Sequence, residues 1–185
     1  ITKIIFMNYK KIFRSQTLRF KILKLFSFIP DSIMLKLQYR IQLGYRLNLH
    51  NPKRYTEKIQ LYKMHYRNPE LFECVDKYEV RKFVKKKGLG EILNELYGVY
   101  DDANEINFSE LPNKFVIKTT DGSGGQNILV CEDKTNLDIS RTIENVNSWL
   151  DKKSINAGRE WAYTGIRKSR VIVEKYLENP TQPKA

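Results

Sequence analysis

Phe115-Val-Ile-Lys118, the connection Thr119 to Asn127 and Ile128-Leu-Val-Cys131 constrain this chain most. Two apolar runs, each too short for a helix, flank a glycine-rich connection, which predicts neighbouring strands joined by a tight loop. The first run ends on a lysine, and glycines follow at 122, 124 and 125. Glycines let a backbone approach an anion and aim several N–H groups at it, and a nearby ammonium adds a compact charge. Lys118, Gly122, Ser123, Gly124 and Gly125 therefore follow a phosphate-binding logic. No Lys-Ser or Lys-Thr follows the glycines, which excludes a Walker A loop, and the spacing is not that of the dinucleotide fingerprint. Taken alone, the loop reads equally as an ordinary glycine-rich hairpin turn.

The remaining elements follow from periodicity. Pro30-Asp31-Ser32 predicts a helix capped by Asp31 or Ser32 and running to Leu43, with Gly44 at its end. Tyr55 to Tyr66 continues in a helical pattern, and Val80, Phe83 and Val84 mark one apolar face of a helix that Gly88 or Gly90 ends. Tyr97 to Tyr100 and Val171 to Glu174 read as strands, and Ile139, Ile143, Val146 and Leu150 place a helix over Leu137 to Asp151. This order predicts an α+β (α/β) fold, with helices against a mainly antiparallel sheet. Cys74 and Cys131 are isolated, a usage that fits a reducing compartment with both side chains filling space in the core. With no apolar run near the ~20 residues of a membrane span and no signal-peptide pattern, a cytoplasmic protein is expected. A start at Ile1 and a stop at Ala185 just after an apolar strand suggest that both ends are cut.

Charge divides the chain. The net charge is +12, and residues 1–70 hold 15 Lys plus Arg against 3 Asp plus Glu, whereas residues 71–185 hold 18 of each. Two modules are therefore expected: a basic helical N-terminal region, 1–70, and a chemical domain, 71–185. In the first, Phe13, Leu18, Phe20, Ile22, Leu23, Leu25 and Phe26 alternate with Lys and Arg as in an amphipathic helix. One reading is a helix packed on the protein with its charges in water; another is a face for an anionic membrane surface.

Two further segments bear on the glycine loop. Asp76-Lys77 opens a helix, and a lysine at that positive end is costly unless an anion lies nearby. Singly, Lys77 reads as a solvated surface residue; its pairing with Lys118 and the loop is what matters. Val171-Ile-Val-Glu174 then runs into Lys175-Tyr176-Leu177-Glu178, an apolar strand entering a polar hinge. There an adenine ring has apolar side chains to lie on, with its exocyclic amine donating to the Glu174 side chain or the Lys175 carbonyl and a ring nitrogen accepting from the Leu177 N–H. The plainer reading is a strand ending in charges.

In this order the three segments resemble the ATP-grasp superfamily, and residues 30–178 resemble its TupA-like branch, associated with bacterial surface-polymer biosynthesis. The resemblance also rests on Leu43-Gly44, Asn51-Pro52, Glu57-Lys58-Ile59-Gln60, Val80-Arg81, Gly98-Val99-Tyr100, Leu111-Pro112 and Gly158-Arg159-Glu160-Trp161. It implies an ATP-grasp N-terminal lobe, truncated at the hinge and preceded by the basic helical extension. It implies that Lys77 and Lys118 hold the ATP phosphates, that Gly122, Ser123, Gly124 and Gly125 close over them, that Glu174, Lys175, Tyr176 and Leu177 read adenine, and that Glu178 reaches the ribose. Mg2+ ligands are expected in a C-terminal lobe beyond the hinge, so the 185-residue chain alone is expected to be inactive. The reaction type implied is ATP-dependent carboxylate–amine ligation, here of an acidic glycan or peptide-linked acceptor in capsule or teichuronopeptide-like polysaccharide biosynthesis, by analogy. Two rivals remain. A glycosyltransferase of such a pathway needs a metal or nucleotide-sugar site built on carboxylates, and the chain has no DxD. A nucleic-acid-binding module would explain the basic, Tyr-rich first 70 residues but not the lysines, loop and hinge. Trp161 and Tyr163 are expected to pack, and Arg170 has no assigned ligand.

Overall fold

Strands β1 (Leu96–Tyr100), β2 (Phe115–Thr119), β3 (Ile128–Cys131) and β4 (Val171–Lys175) form one antiparallel sheet in the order β1-β4-β2-β3. The computed structural model describes residues 22–23, 25–122, 125–151 and 158–178. Phe13, Leu18, Phe20, Ser123 and Gly124 lie outside the described residues. Among the described residues there are five α-helices: α1 (Asp31–Leu43), α2 (Tyr55–His65), α3 (Leu71–Val75), α4 (Val80–Lys86) and α5 (Ile139–Leu150). The α+β class expected from the sequence is thus observed, with the last strand in sequence inserted between the first two.

Backbone contacts divide the chain into two compact units, Ile1–Asn68 with Ile155–Thr164, and Pro69–Ser154 with Gly165–Ala185. The second unit holds the sheet. Strand alternation sends Phe115, Ile117, Val171 and Val173 to one side, where they meet Val146 of α5 and the buried Ala103, Ile106, Phe108 and Leu111. Helix α5 presents Ile143, Val146 and Leu150 to this core as its spacing predicts, and its start is fixed by Asp138, whose carboxylate accepts from the Arg141 N–H at 3.0 Å. Cys131 is buried, whereas Cys74 is only half-buried; both are free thiols. Register pairs Val116 with Glu174 and Lys118 with Ile172, so these four residues share the side of the sheet away from that core.

In the first unit, Leu35, Tyr39 and Leu47 are buried against Leu43, Leu49 and Met64. Glu57, 3% exposed, accepts from the backbone N–H groups of Arg54 at 2.9 Å and Lys53 at 3.0 Å and so closes the start of α2. Gly44, with φ 75°, ends α1 in a left-handed turn. The expected cap at Asp31 or Ser32 is corrected: the Pro30 carbonyl starts the helix by accepting from Ile33 and Met34, and the Asp31 carboxylate instead pairs with Arg159 at 2.9 Å. Arg159 also donates to the carbonyls of Phe26, Ser27 and Ile29 in the turn before α1. Trp161 packs its ring against the Arg67 guanidinium at 5.3 Å. No helix among the described residues is long and apolar enough to cross a membrane.

Candidate functional site

Lys118 ends the half-buried side of β2, and its ammonium meets the Glu174 carboxylate on the neighbouring β4 at 2.5 Å. The other oxygen of Glu174 faces Arg81 of α4 at 3.4 Å, and Arg81 also donates to the Asn94 carbonyl at 2.6 Å. Glu174 is 6% exposed. A carboxylate this buried needs compensation, and two cations supply it.

Lys77 is tied to the segment that follows Lys118. Its backbone N–H donates to the Thr120 carbonyl at 2.9 Å, and its ammonium donates to the carbonyls of Thr119 at 3.1 Å, Thr120 at 3.4 Å and Gly122. Burial pushes the Lys77 ammonium below its ordinary pKa and repulsion from Lys118 adds to this, while Asp121, Asp76 and Glu174 oppose it. The expected opening of a helix at Asp76-Lys77 is corrected: α4 begins at Val80, and Asp76 and Lys77 lie in the turn before it. The Asp76 carboxylate accepts from the N–H groups of Tyr78 at 2.8 Å and Glu79 at 2.9 Å, which orders the turn leading into α4.

The glycines have distinct reasons. A Cβ on Gly122 would stand 2.9 Å from Thr119 Oγ1 and 3.0 Å from the Gln126 carbonyl oxygen, so only glycine fits that close approach. Gly125 has open space around it but a φ of 76°, which disfavours any side chain. Next to Gly122, the buried Thr119 hydroxyl has no hydrogen-bond partner among the described residues. An unsatisfied hydroxyl of this kind is costly unless something reaches it.

The hinge is held mostly by its own neighbours. Lys175 donates its N–H to the Glu95 carbonyl at 3.0 Å and accepts at its carbonyl from the Asn94 side-chain amide at 2.8 Å. The Tyr176 hydroxyl donates to Glu132 at 3.2 Å, and Glu178 pairs with Lys114. Leu177 is exposed. The structure thus brings Lys77, Lys118, Gly122 and Glu174 together, whereas Tyr176 and Glu178 are engaged with Glu132 and Lys114.

Several of these partners were not assigned from sequence. Arg81 stands one helical turn after Lys77, the only local hint that a second cation shares its face. Arg170 immediately precedes β4 and has a clear structural role: it donates to Glu79 at 2.6 Å, lies 3.9 Å from Asp76 and stacks on Tyr78 at 4.6 Å. Its backbone N–H donates to the Thr120 hydroxyl at 3.2 Å, so Arg170 fastens the Asp76 turn to the start of β4.

A family model described as TupA-like ATPgrasp matches residues 57–183, well over half of the chain. The chain belongs to the TupA-like ATP-grasp family. Membership supports an ATP-grasp, ligase-type role, and ATP-grasp proteins generally bind ATP and Mg2+. Neither the curated proteins nor the solved structures searched contain a match. Two ammonium groups beside a glycine turn are a donor set suited to the phosphates of an ATP-grasp nucleotide. For Mg2+ the outcome differs: no group of three His, Cys, Asp or Glu that could hold a metal occurs among the described residues.

Proposed function

We propose that residues 71–185 form the nucleotide-binding part of an ATP-dependent carboxylate–amine ligase. The observation that carries this reading is that the Lys77 ammonium is bound to the carbonyls of Thr119, Thr120 and Gly122, directly after Lys118, where burial and Lys118 both disfavour its charge. An anion between the two lysines removes both penalties. On this reading the two ammonium groups hold phosphate oxygens, with Gly122 to Gly125 folded over them. Glu174 already holds Lys118 and Arg81, so its part is to orient Lys118, and the adenine amine falls to the Lys175 carbonyl, whose second lone pair remains beside the Asn94 bond.

Bound ATP supplies the γ-phosphoryl group that converts a carboxylate into an acylphosphate, which an amine attacks to give an amide and inorganic phosphate. In that chemistry this chain's lysines offset charge on the phosphoryl oxygens, and the ion-paired Glu174 keeps Lys118 in place without reorganisation. The family's association with surface polymers makes an acidic glycan or peptide-linked carboxylate the preferred acceptor class, a reading that rests on analogy.

The test is phosphate release by the full-length protein with Mg-ATP, over a panel of uronic-acid and peptide carboxylates paired with amines. Release that requires both a carboxylate and an amine is expected. Release indifferent to either, or transfer of a sugar from a nucleotide-sugar donor instead, contradicts the assignment.

A further inference from the structure

Helix α1 is apolar on two sides, and the described residues bury only one of them. Met34, Leu35 and Tyr39 are buried at 2%, 2% and 4% exposure, while Ile33, Leu37 and Ile41 stand 56%, 50% and 41% exposed. These three recur every four residues and so line up along one flank of the helix. Lys36 and Arg40, both exposed, sit between them on the same flank. Immediately upstream, Leu25 and Phe28 are also largely exposed. The only acidic residue of α1, Asp31, is paired with Arg159, so no unpartnered carboxylate of the helix opposes this cationic, apolar strip.

From this arrangement we infer that the exposed flank of α1 is a docking surface for an anionic lipid bilayer. Charge complementarity selects the occupant. The whole net charge of +12 resides in residues 1–70, and each basic side chain near an anionic membrane contributes attraction that salt screens. A nucleic acid would satisfy Lys36 and Arg40, but its phosphodiester backbone offers nothing to an Ile-Leu-Ile strip. A bilayer interface offers both an anionic headgroup layer and an apolar boundary a few ångströms below it. The inference stands apart from the nucleotide reading, since none of these residues belongs to the lysine and loop site.

The experiment uses the whole protein and sedimentation with vesicles of phosphatidylcholine alone or with phosphatidylglycerol added, at low and high salt. Wild type is expected to bind the anionic vesicles, with affinity falling as salt rises. Leu37→Gln with Ile41→Gln is expected to weaken binding at least about fivefold at either salt, and Lys36→Gln about fivefold at low salt and less at high salt. Thermal unfolding unchanged from wild type establishes that these exposed substitutions leave the fold intact. Equal binding to both vesicle types, variants indistinguishable from wild type, binding to duplex DNA in place of vesicles, or self-association abolished by the Leu37 and Ile41 changes would each overturn the inference.

Discussion

Lys118 and Glu174 face each other across the two central strands, ammonium to carboxylate at 2.5 Å, with Arg81 closing the other side of the same carboxylate at 3.4 Å. A buried anion between two cations is expensive to disturb from the centre. Glu174→Gln keeps an acceptor but leaves both cations without a countercharge, and is expected to cost about 1–3 kcal/mol. Glu174→Ala removes the acceptor as well and is expected to cost about 3–5 kcal/mol. Urea unfolding of both variants reads this order, and a Glu174→Gln protein as stable as wild type would show that the triad contributes nothing.

Substitutions at the loop glycines should separate two mechanisms. Gly122→Ala puts a Cβ against Thr119 Oγ1 and the Gln126 carbonyl, so the loop must shift. Gly125→Ala meets no atoms within 4 Å but is strained at φ 76°, at a cost of roughly 1–2 kcal/mol. Asparagine tolerates that conformation better than alanine. Gly125→Asn is therefore expected to recover part of the stability lost in Gly125→Ala, while Gly122→Asn fares no better than Gly122→Ala. Melting temperatures of the four variants decide the matter, and the same asparagine rescue at both sites would refute the contact argument.

Acid stability should depend on Glu57. Hydrogen bonds, foremost from the Arg54 N–H, hold its carboxyl below the ordinary value of 4.5. A carboxyl depressed on folding contributes stability that is present above its unfolded pKa and is lost as pH falls through the folded one. Wild type is expected to lose stability more steeply than Glu57→Gln as pH drops below about 4.5. Parallel pH profiles would contradict this.

Lys77 should show the opposite limb. Its folded pKa lies below the ordinary 10.5, so between the two values the unfolded chain binds more protons and stability rises with pH. That rise is expected in wild type without nucleotide and absent in Lys77→Gln, as measured by chemical unfolding from neutral to alkaline pH. An identical alkaline profile in the variant would place Lys77 in an unperturbed setting.

The sheet was legible because its strands carry their own signals: short apolar runs at 115–118, 128–131 and 171–174, bounded by glycine or charge. Helix α5 was legible for the same kind of reason, through Ile143, Val146 and Leu150. Helix α3 was not, since Leu71–Val75 is a single short turn with no period to read. The lysines and the loop were legible as residue types with a chemistry. Their supports were not, because Arg81 and Glu174 lie 93 positions apart, and Arg170 and Glu79 lie 91 apart. Pairings of that range are set by strand order, and the insertion of β4 between β1 and β2 leaves no trace in any local window. Gly158-Arg159-Glu160-Trp161 drew notice without a role for the same reason, the contacts of Arg159 lying about 130 residues earlier in the chain.

The central claim is that Lys77 and Lys118 hold nucleotide phosphates, and the most direct measurement is calorimetric titration of the intact protein with a non-hydrolysable ATP analogue. Lys85, exposed on α4 and outside the site, serves as the control. Charge-assisted bonds to phosphate contribute roughly 1.5–3 kcal/mol each, so Lys118→Ala and Lys77→Ala are each expected to weaken binding by at least about tenfold. Lys85→Ala is expected to match wild type. Equal affinity in all four proteins would contradict the account.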